Sequence, residues 1–223
     1  MFVSRIMSSA NLADFRNLTR KIVCVGRNYK DHAQELKNPI PEKPLLFLKG
    51  NNALIGNGEK IYVPAGCKDL HHEVELAVVI GKTASKVAKK DAWDFVGGYT
   101  VALDMTARDL QNELKSQGYP WFLAKSFDTS CPVADFLDKS KVPDPHKLEL
   151  ICTLNGQVRQ RDTTDKMIFD IPTLIEFTTA TVRLDPGDLI LTGTPAGVGP
   201  CKPGDEIEIQ LSDLLKAKFT VAE

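Results

Sequence analysis

No uninterrupted apolar stretch in these 223 residues approaches the roughly 20 needed to cross a bilayer, and the start lacks the continuous hydrophobic core of a secretory signal. A membrane-spanning or exported chain is therefore not expected. Neither sign of charge predominates: 28 basic side chains stand against 29 acidic ones, with no long basic run. That balance gives no electrostatic reason to expect nucleic acid or an anionic membrane surface, and it points to a small-molecule partner. Cysteine is sparse. Cys24, Cys67, Cys131, Cys152 and Cys201 are odd in number, widely spaced and without a Cys-x-x-Cys pair, which excludes a zinc or redox motif and fits buried thiols in a reducing compartment. The glycine-rich segment Gly193-Thr194-Pro195-Ala196-Gly197-Val198-Gly199 lacks the Gly-Lys-Ser/Thr ending of a phosphate-binding loop. Ser126 and Ser130 lack a Gly-x-Ser-x-Gly setting, so a serine nucleophile is also set aside.

What is present describes one sizeable core: hydrophobic residues make up 43% of the chain and no linker divides it. Residues 1–20 carry Arg5, Arg16 and Arg20 with several serines and only Asp14 as acid, the pattern of a weak mitochondrial transit segment or of a short arm. Residues 21–223 are expected to form a single catalytic domain. Lys21 to Gly26 reads as a first strand, Asn28 to Leu36 as a short helix, and the proline-rich Asn38 to Pro44 as a loop or lid hinge before a Leu45–Leu48 strand. Thr106 to Gln117 and Asp170 to Thr181 read as helices. Asn155-Gly156 marks a hairpin, and two Pro-Gly-Asp turns, at 186–188 and 203–205, each lead into a strand. Short strands at close spacing with few helices give a mixed α+β, β-rich fold.

The chemistry begins with His71-His72-Glu73-Val74-Glu75-Leu76-Ala77-Val78-Val79-Ile80 and Tyr99-Thr100-Val101-Ala102-Leu103-Asp104, strand-like apolar runs that carry three carboxylates. Side chains on a strand alternate, so Glu73 and Glu75 point the same way, and Asp104 joins them if its strand lies alongside. Three clustered carboxylates repel one another and are costly to bury unless they share a cation. All-oxygen ligands suit a hard ion such as Mg2+, Mn2+ or Ca2+, with positions left for water or substrate. Taken singly, each acid is about as well explained as a surface or salt-bridged group; the constellation favours a metal. His32 and Glu35 share a helical face as a candidate proton-transfer pair, although an i, i+3 pair alone is weak evidence. Arg108, Gln111 and Lys125 supply groups for an anionic or enolic oxygen. Exposed backbone N–H groups and the Thr194 hydroxyl could meet a substrate carboxylate, a plain connecting turn being the competing reading. The histidines 71 and 72 compete poorly for a hard ion and are assigned supporting or loop roles.

These residues resemble the fumarylacetoacetate hydrolase superfamily, in particular its small mitochondrial acylpyruvase and oxaloacetate decarboxylase or tautomerase members. The similarity runs from Ile22 to Val221 and rests on five ordered blocks: Val25-Gly26-Arg27-Asn28-Tyr29 with His32, Leu70 to Leu76, Leu103 to Asp109, Ala124-Lys125-Ser126-Phe127-Asp128, and Leu191 to Gly199. The resemblance implies a β-sandwich roll, a homodimer, Mg2+ or Mn2+ held by Glu73, Glu75 and Asp104, a His32–Glu35 dyad on a lid, and Arg27, Arg108, Gln111, Lys125 and Thr194 around a 2-oxo acid. It further implies hydrolysis of acylpyruvates, decarboxylation of oxaloacetate and its enol–keto tautomerisation through a shared enolate, in the mitochondrion or alternatively the cytosol. A non-catalytic metal- or metabolite-binding relative is the rival reading, disfavoured because a structural ion needs none of His32, Glu35 and Lys125. One departure stands out: after Phe47-Leu48-Lys49 relatives often continue with proline and then serine or threonine, whereas this chain has Gly50-Asn51-Asn52.

Overall fold

The two acid-bearing runs become the long central strands Val74–Ile80 and Val96–Leu103, paired antiparallel in a six-stranded sheet. A computed structural model describes residues 7–35 and 39–223; Arg5 and the end of the first helix at Leu36, with Asn38 at the start of the expected hinge, lie outside them. The sheet runs in the order Leu137–Asp138, Val96–Leu103, Val74–Ile80, Leu189–Leu191, Ile22–Gly26, Leu45–Lys49. All its pairings are antiparallel except that of Ile22–Gly26 with Leu189–Leu191. A second, five-stranded sheet, built from Gln157–Thr163, Glu149–Leu154, Glu206–Leu211, Leu215–Ala222 and Lys60–Tyr62, packs against it. Val74, Leu76, Val78, Val101 and Leu103 from the first sheet meet Leu150, Ile207, Ile209, Phe219 and Val221 from the second in the main core.

The opposite face of the six-stranded sheet is also covered, which is why Val74–Ile80 is apolar throughout instead of alternating. Ile22, Ala77, Val79, Ala102, Leu189 and Leu191 pack there against Leu12 and Phe15, each 1% exposed. Those two residues come from the N-terminal segment, whose helices Ser9–Leu12 and Phe15–Leu18 lie over the sheet. The Thr19 hydroxyl bonds to the Phe15 and Gly187 carbonyls, both at 2.8 Å, and Asp188 accepts from the Arg20 and Lys21 N–H groups at 3.1 Å.

Turn chemistry lies where the sequence places it. Asn155 and Gly156 both have positive φ (50° and 76°), the geometry of a tight hairpin turn, and strands follow both Pro-Gly-Asp turns. Asp170 caps Ile171–Thr179 by accepting from the Thr173 N–H at 2.9 Å. Helix boundaries shift: the helix expected from Asn28 begins at Lys30, and the one expected to reach Thr181 ends at Thr179. Thr106–Ala107 is extended because it pairs with Leu70–His71, so that the helix there starts at Arg108 and ends at Ser116. The described part of the expected hinge, residues 39–44, contains neither helix nor strand. All five cysteines are free; four are buried, but Cys67 is only half-buried, where burial still pushes its thiol up to about 11. Among the described residues no helix is long and apolar enough to cross a membrane.

Candidate active site

Strand alternation brings the acids together. Val74 and Leu76 point into the main core, so Glu73 and Glu75 share the face of Ala77. The cross-strand partner of Glu75 is Ala102, whose small side chain leaves room, and Asp104, two residues on, points the same way. The Asp104 N–H donates to the Glu73 carbonyl at 2.8 Å, fixing the two strand ends together. One ligand oxygen from each of Glu73, Glu75 and Asp104 lies within 4.8 Å of the others, and the residues are 4%, 1% and 1% exposed.

Three buried cations face them. Lys125 Nζ donates to Asp104 Oδ2 at 2.6 Å, to Thr106 Oγ1 at 2.7 Å and to Glu73 Oε2 at 3.0 Å. Arg108 pairs with Glu73 Oε1 and donates to Gln111 Oε1 at 2.6 Å. Lys49 Nζ lies 2.8 Å from Asp104 Oδ1 as an ion pair out of hydrogen-bond alignment, so that oxygen has no hydrogen bond. Lys49 also donates to the Met105 carbonyl at 3.1 Å and to that of Lys125. Burial disfavours ionisation of Glu73, but Lys125 and Arg108 outweigh it and hold the carboxyl well below the usual range. Burial likewise opposes the Lys125 ammonium, and Asp104 and Glu73 reverse that, raising it. Glu75 differs: burial, then Asp104 and Glu73, push it well above the usual carboxylate range, against one backbone donor, the Gly193 N–H at 2.6 Å. Gly193 has φ of +99°, and a Cβ there would lie 2.6 Å from that of Asn28, so glycine is required for this amide to reach Glu75.

His32 projects from the helix Lys30–Glu35 and is 4% exposed. Its Nδ1 is 3.3 Å from Glu35 Oε2, and the Glu35 carboxylate accepts from the Gly197 N–H at 3.0 and 3.3 Å, which ties this helix to the glycine-rich segment. One cleft is lined by Arg27, His32, Glu73, Glu75, Asp104, Arg108, Gln111, Lys125 and Thr194, together with Phe47, Lys115 and Trp121. Of the residues singled out in the sequence, only Glu35 stands behind the lining, in contact with His32. Arg27 reaches the cleft from a left-handed backbone (φ 58°), a conformation that disfavours ordinary side chains and recurs at functional positions. The Thr194 hydroxyl is engaged within the protein: it donates to the Val74 carbonyl at 2.8 Å and accepts from Gln160 Nε2 at 2.8 Å.

Sequence reasoning missed Lys49, Gln160 and the aromatic wall formed by Phe47 and Trp121, whose ring centroids are 5.9 Å apart. On the strand Leu45–Lys49, Lys49 shares the face of the lining residues Leu45 and Phe47. The divergent Gly50-Asn51-Asn52 stays out of the cleft. Gly50 N–H donates to Ser126 Oγ at 2.8 Å and Asn52 Nδ2 to Asp128 Oδ1 at 2.7 Å, bracing the segment that carries Lys125. His71 and His72 support from outside, His71 against Asp69 at 3.0 Å and His72 against Gln160 at 3.0 Å.

Residues 21–222 match the family described as fumarylacetoacetate (FAA) hydrolase C-terminal. The chain belongs to the fumarylacetoacetate hydrolase family. It is 61% identical over 212 residues to the mitochondrial oxaloacetate tautomerase of Caenorhabditis elegans, covering 95% of this chain and 99% of that protein. It is 48% identical to the mitochondrial oxaloacetate decarboxylase of Dictyostelium discoideum, over 87% of this chain and 90% of that one. Among solved structures, the fumarylpyruvate hydrolase of Pseudomonas aeruginosa, in complex with Mn2+ and pyruvate, superposes with a TM-score of 0.87 at 33% identity, over 92% of this chain and 90% of that one. The β-rich fold expected of a fumarylacetoacetate hydrolase family member is thus the one observed.

Proposed function

We propose that this protein is a divalent-metal-dependent mitochondrial enzyme that acts on 2-oxo acids through an enolate. Enol–keto tautomerisation of oxaloacetate, through the oxaloacetate enolate, is its principal reaction; decarboxylation of oxaloacetate and hydrolytic C–C cleavage of acylpyruvates each release the pyruvate enolate, which the same groups would stabilise. The observation that carries this reading is the convergence of three buried carboxylates, Lys125 and His32 on one cleft. Identity of 61% with a protein named mitochondrial oxaloacetate tautomerase supports the reaction and the compartment.

The donor set fits a hard divalent ion, Mg2+ or Mn2+. It offers three carboxylates, one of which, Asp104, has an oxygen without a hydrogen bond, while Glu75 has only the Gly193 amide as hydrogen-bond donor. When bound there, such an ion supplies positive charge against the carboxylate and C2 oxygen of a 2-oxo acid. The chain's own groups do the rest. Glu35 fixes the His32 tautomer through Nδ1 and leaves Nε2 to carry a proton to or from the substrate carbon, or to take one from water in the hydrolytic reaction. Lys125 places its positive charge where the enolate oxygen develops. Arg27, Arg108 and Gln111 bind and orient the substrate's carboxylates. A homodimer belongs to the same proposal: the edge strand carries exposed Leu48, and Tyr119, Phe122 and Leu123 nearby are more than half exposed, an apolar surface of the kind association covers.

Two results follow. The ultraviolet decay of enol-oxaloacetate will be accelerated by the protein with Mg2+ or Mn2+ and return to the spontaneous rate in EDTA; EDTA-resistant acceleration would refute the metal requirement. Because burial and its acidic neighbours Asp104 and Glu73 push Glu75 toward protonation, an entering ion competes with that proton. Metal affinity will therefore rise with pH, by about tenfold per unit for one proton, and level off once Glu75 is ionised. Calorimetric titration in two buffers of different ionisation enthalpy will report the released proton; a pH-independent affinity would contradict the assignment.

A further inference from the structure

Gln160 is fully buried (0% exposed) on an otherwise exposed strand, and every polar atom of its amide is engaged. Its orientation is unambiguous. Oε1 faces the Val74 N–H at 3.0 Å and Nε2 faces the Pro195 carbonyl at 2.9 Å, so the reverse orientation would set donor against donor and acceptor against acceptor. His72 Nδ1, at 3.0 Å, completes the Oε1 side as a donor. Nε2 therefore donates to Thr194 Oγ1 at 2.8 Å, and the Thr194 proton goes to the Val74 carbonyl at 2.8 Å. A hydroxyl has one donor and two acceptor sites. With the donor and one acceptor committed, a single acceptor site remains, in a residue that lines the cleft. The loop carrying Thr194 cannot retreat easily: Gly197 packs on Arg159 so closely that a Cβ would lie 2.1 Å from the Arg159 carbonyl oxygen.

The two forms of a 2-oxo acid differ in this respect. The enol carries a hydroxyl donor at C2, and the keto form carries only acceptors there. We infer that Gln160 is a positioning residue that holds Thr194 as a hydrogen-bond acceptor toward the substrate, and that the pair thereby favours binding of the enol over the keto form. The inference rests on the tautomerase reading and adds to it the form of the substrate that the resting site selects.

The test is the ratio of the keto-oxaloacetate inhibition constant to the enol-oxaloacetate KM, measured in one tautomerisation assay with metal at saturation. Gln160→Met removes the donor that, together with the Val74 carbonyl, fixes the Thr194 hydroxyl in place, and the ratio will fall about three- to tenfold, the scale of one hydrogen bond. Thr194→Val will lower it similarly, Thr194→Ser will preserve it, and Gln160→Met will add nothing in the Thr194→Val background. Melting temperature and metal affinity, recorded alongside, separate this ratio from general loosening, which moves both constants together. If Gln160→Met does not fold, the Thr194→Val and Thr194→Ser pair decides alone. A wild type that turns over while the ratio is unchanged in Thr194→Val overturns the inference and leaves the tautomerase reading standing. A wild type with no tautomerisation overturns both.

Discussion

His32→Ala will lower turnover of enol-oxaloacetate by about 10²- to 10⁴-fold, the range over which a positioned general acid or base acts, with the melting temperature and metal affinity close to wild type. The separation is expected because the side chain of His32 hydrogen-bonds to Glu35 and lines the cleft, and is not among the three carboxylates proposed to hold the metal. Glu35→Gln will act in the same direction more weakly, since a neutral amide still orients the ring but no longer stabilises its charged form. The measurement is kcat for enol decay beside a thermal melt. A His32→Ala enzyme with unchanged kcat would remove the proton-transfer assignment.

Shortening the chain by its first 20 residues will abolish the cooperative fold, and Phe15→Ala alone will cost about 3–5 kcal/mol, the cost of emptying a buried aromatic site. Leu12 and Phe15 are 1% exposed and cover one face of the sheet whose strands carry Glu73, Glu75 and Asp104. Losing the two contacts, about 5–10 kcal/mol together, approaches the whole stability of an ordinary domain. We propose on this ground that residues from about 8 onward belong to the catalytic domain. Urea melts of the full chain, Phe15→Ala and the shortened form will decide; a shortened protein as stable as the full chain would show the arm to be dispensable.

The clearest sequence signals were charges in apolar strands. Glu73, Glu75 and Asp104 were legible because period-2 alternation makes a carboxylate inside a β-run anomalous, and their cross-strand meeting required only that the two runs be neighbours. The hairpin at Asn155-Gly156 and the Pro-Gly-Asp turns were legible because turn chemistry is local. Gln160 was not. The register between Glu149–Leu154 and Gln157–Thr163 passes from Cys152 opposite Gln160 to Thr153 opposite Val158, leaving Arg159 out of the ladder. That bulge changes the inward phase at one residue, which the polar pattern around it could not disclose. Lys49 was hidden for another reason: a lysine ending a strand reads as solvated, and only tertiary packing brings it to Asp104. The N-terminal arm shows the same limit, since Leu12 and Phe15 have little local pattern and are ordered by the sheet they cover.

The central claim is a site that stabilises the enolate of a 2-oxo acid, and the most direct measurement of it is exchange of the pyruvate methyl protons with solvent deuterium, followed by proton NMR without any net reaction. The wild-type protein with Mg2+ or Mn2+ is predicted to catalyse this exchange, and EDTA or His32→Ala to abolish it. Decarboxylation of oxaloacetate by the wild type, with no methyl exchange under the same conditions, would contradict the account.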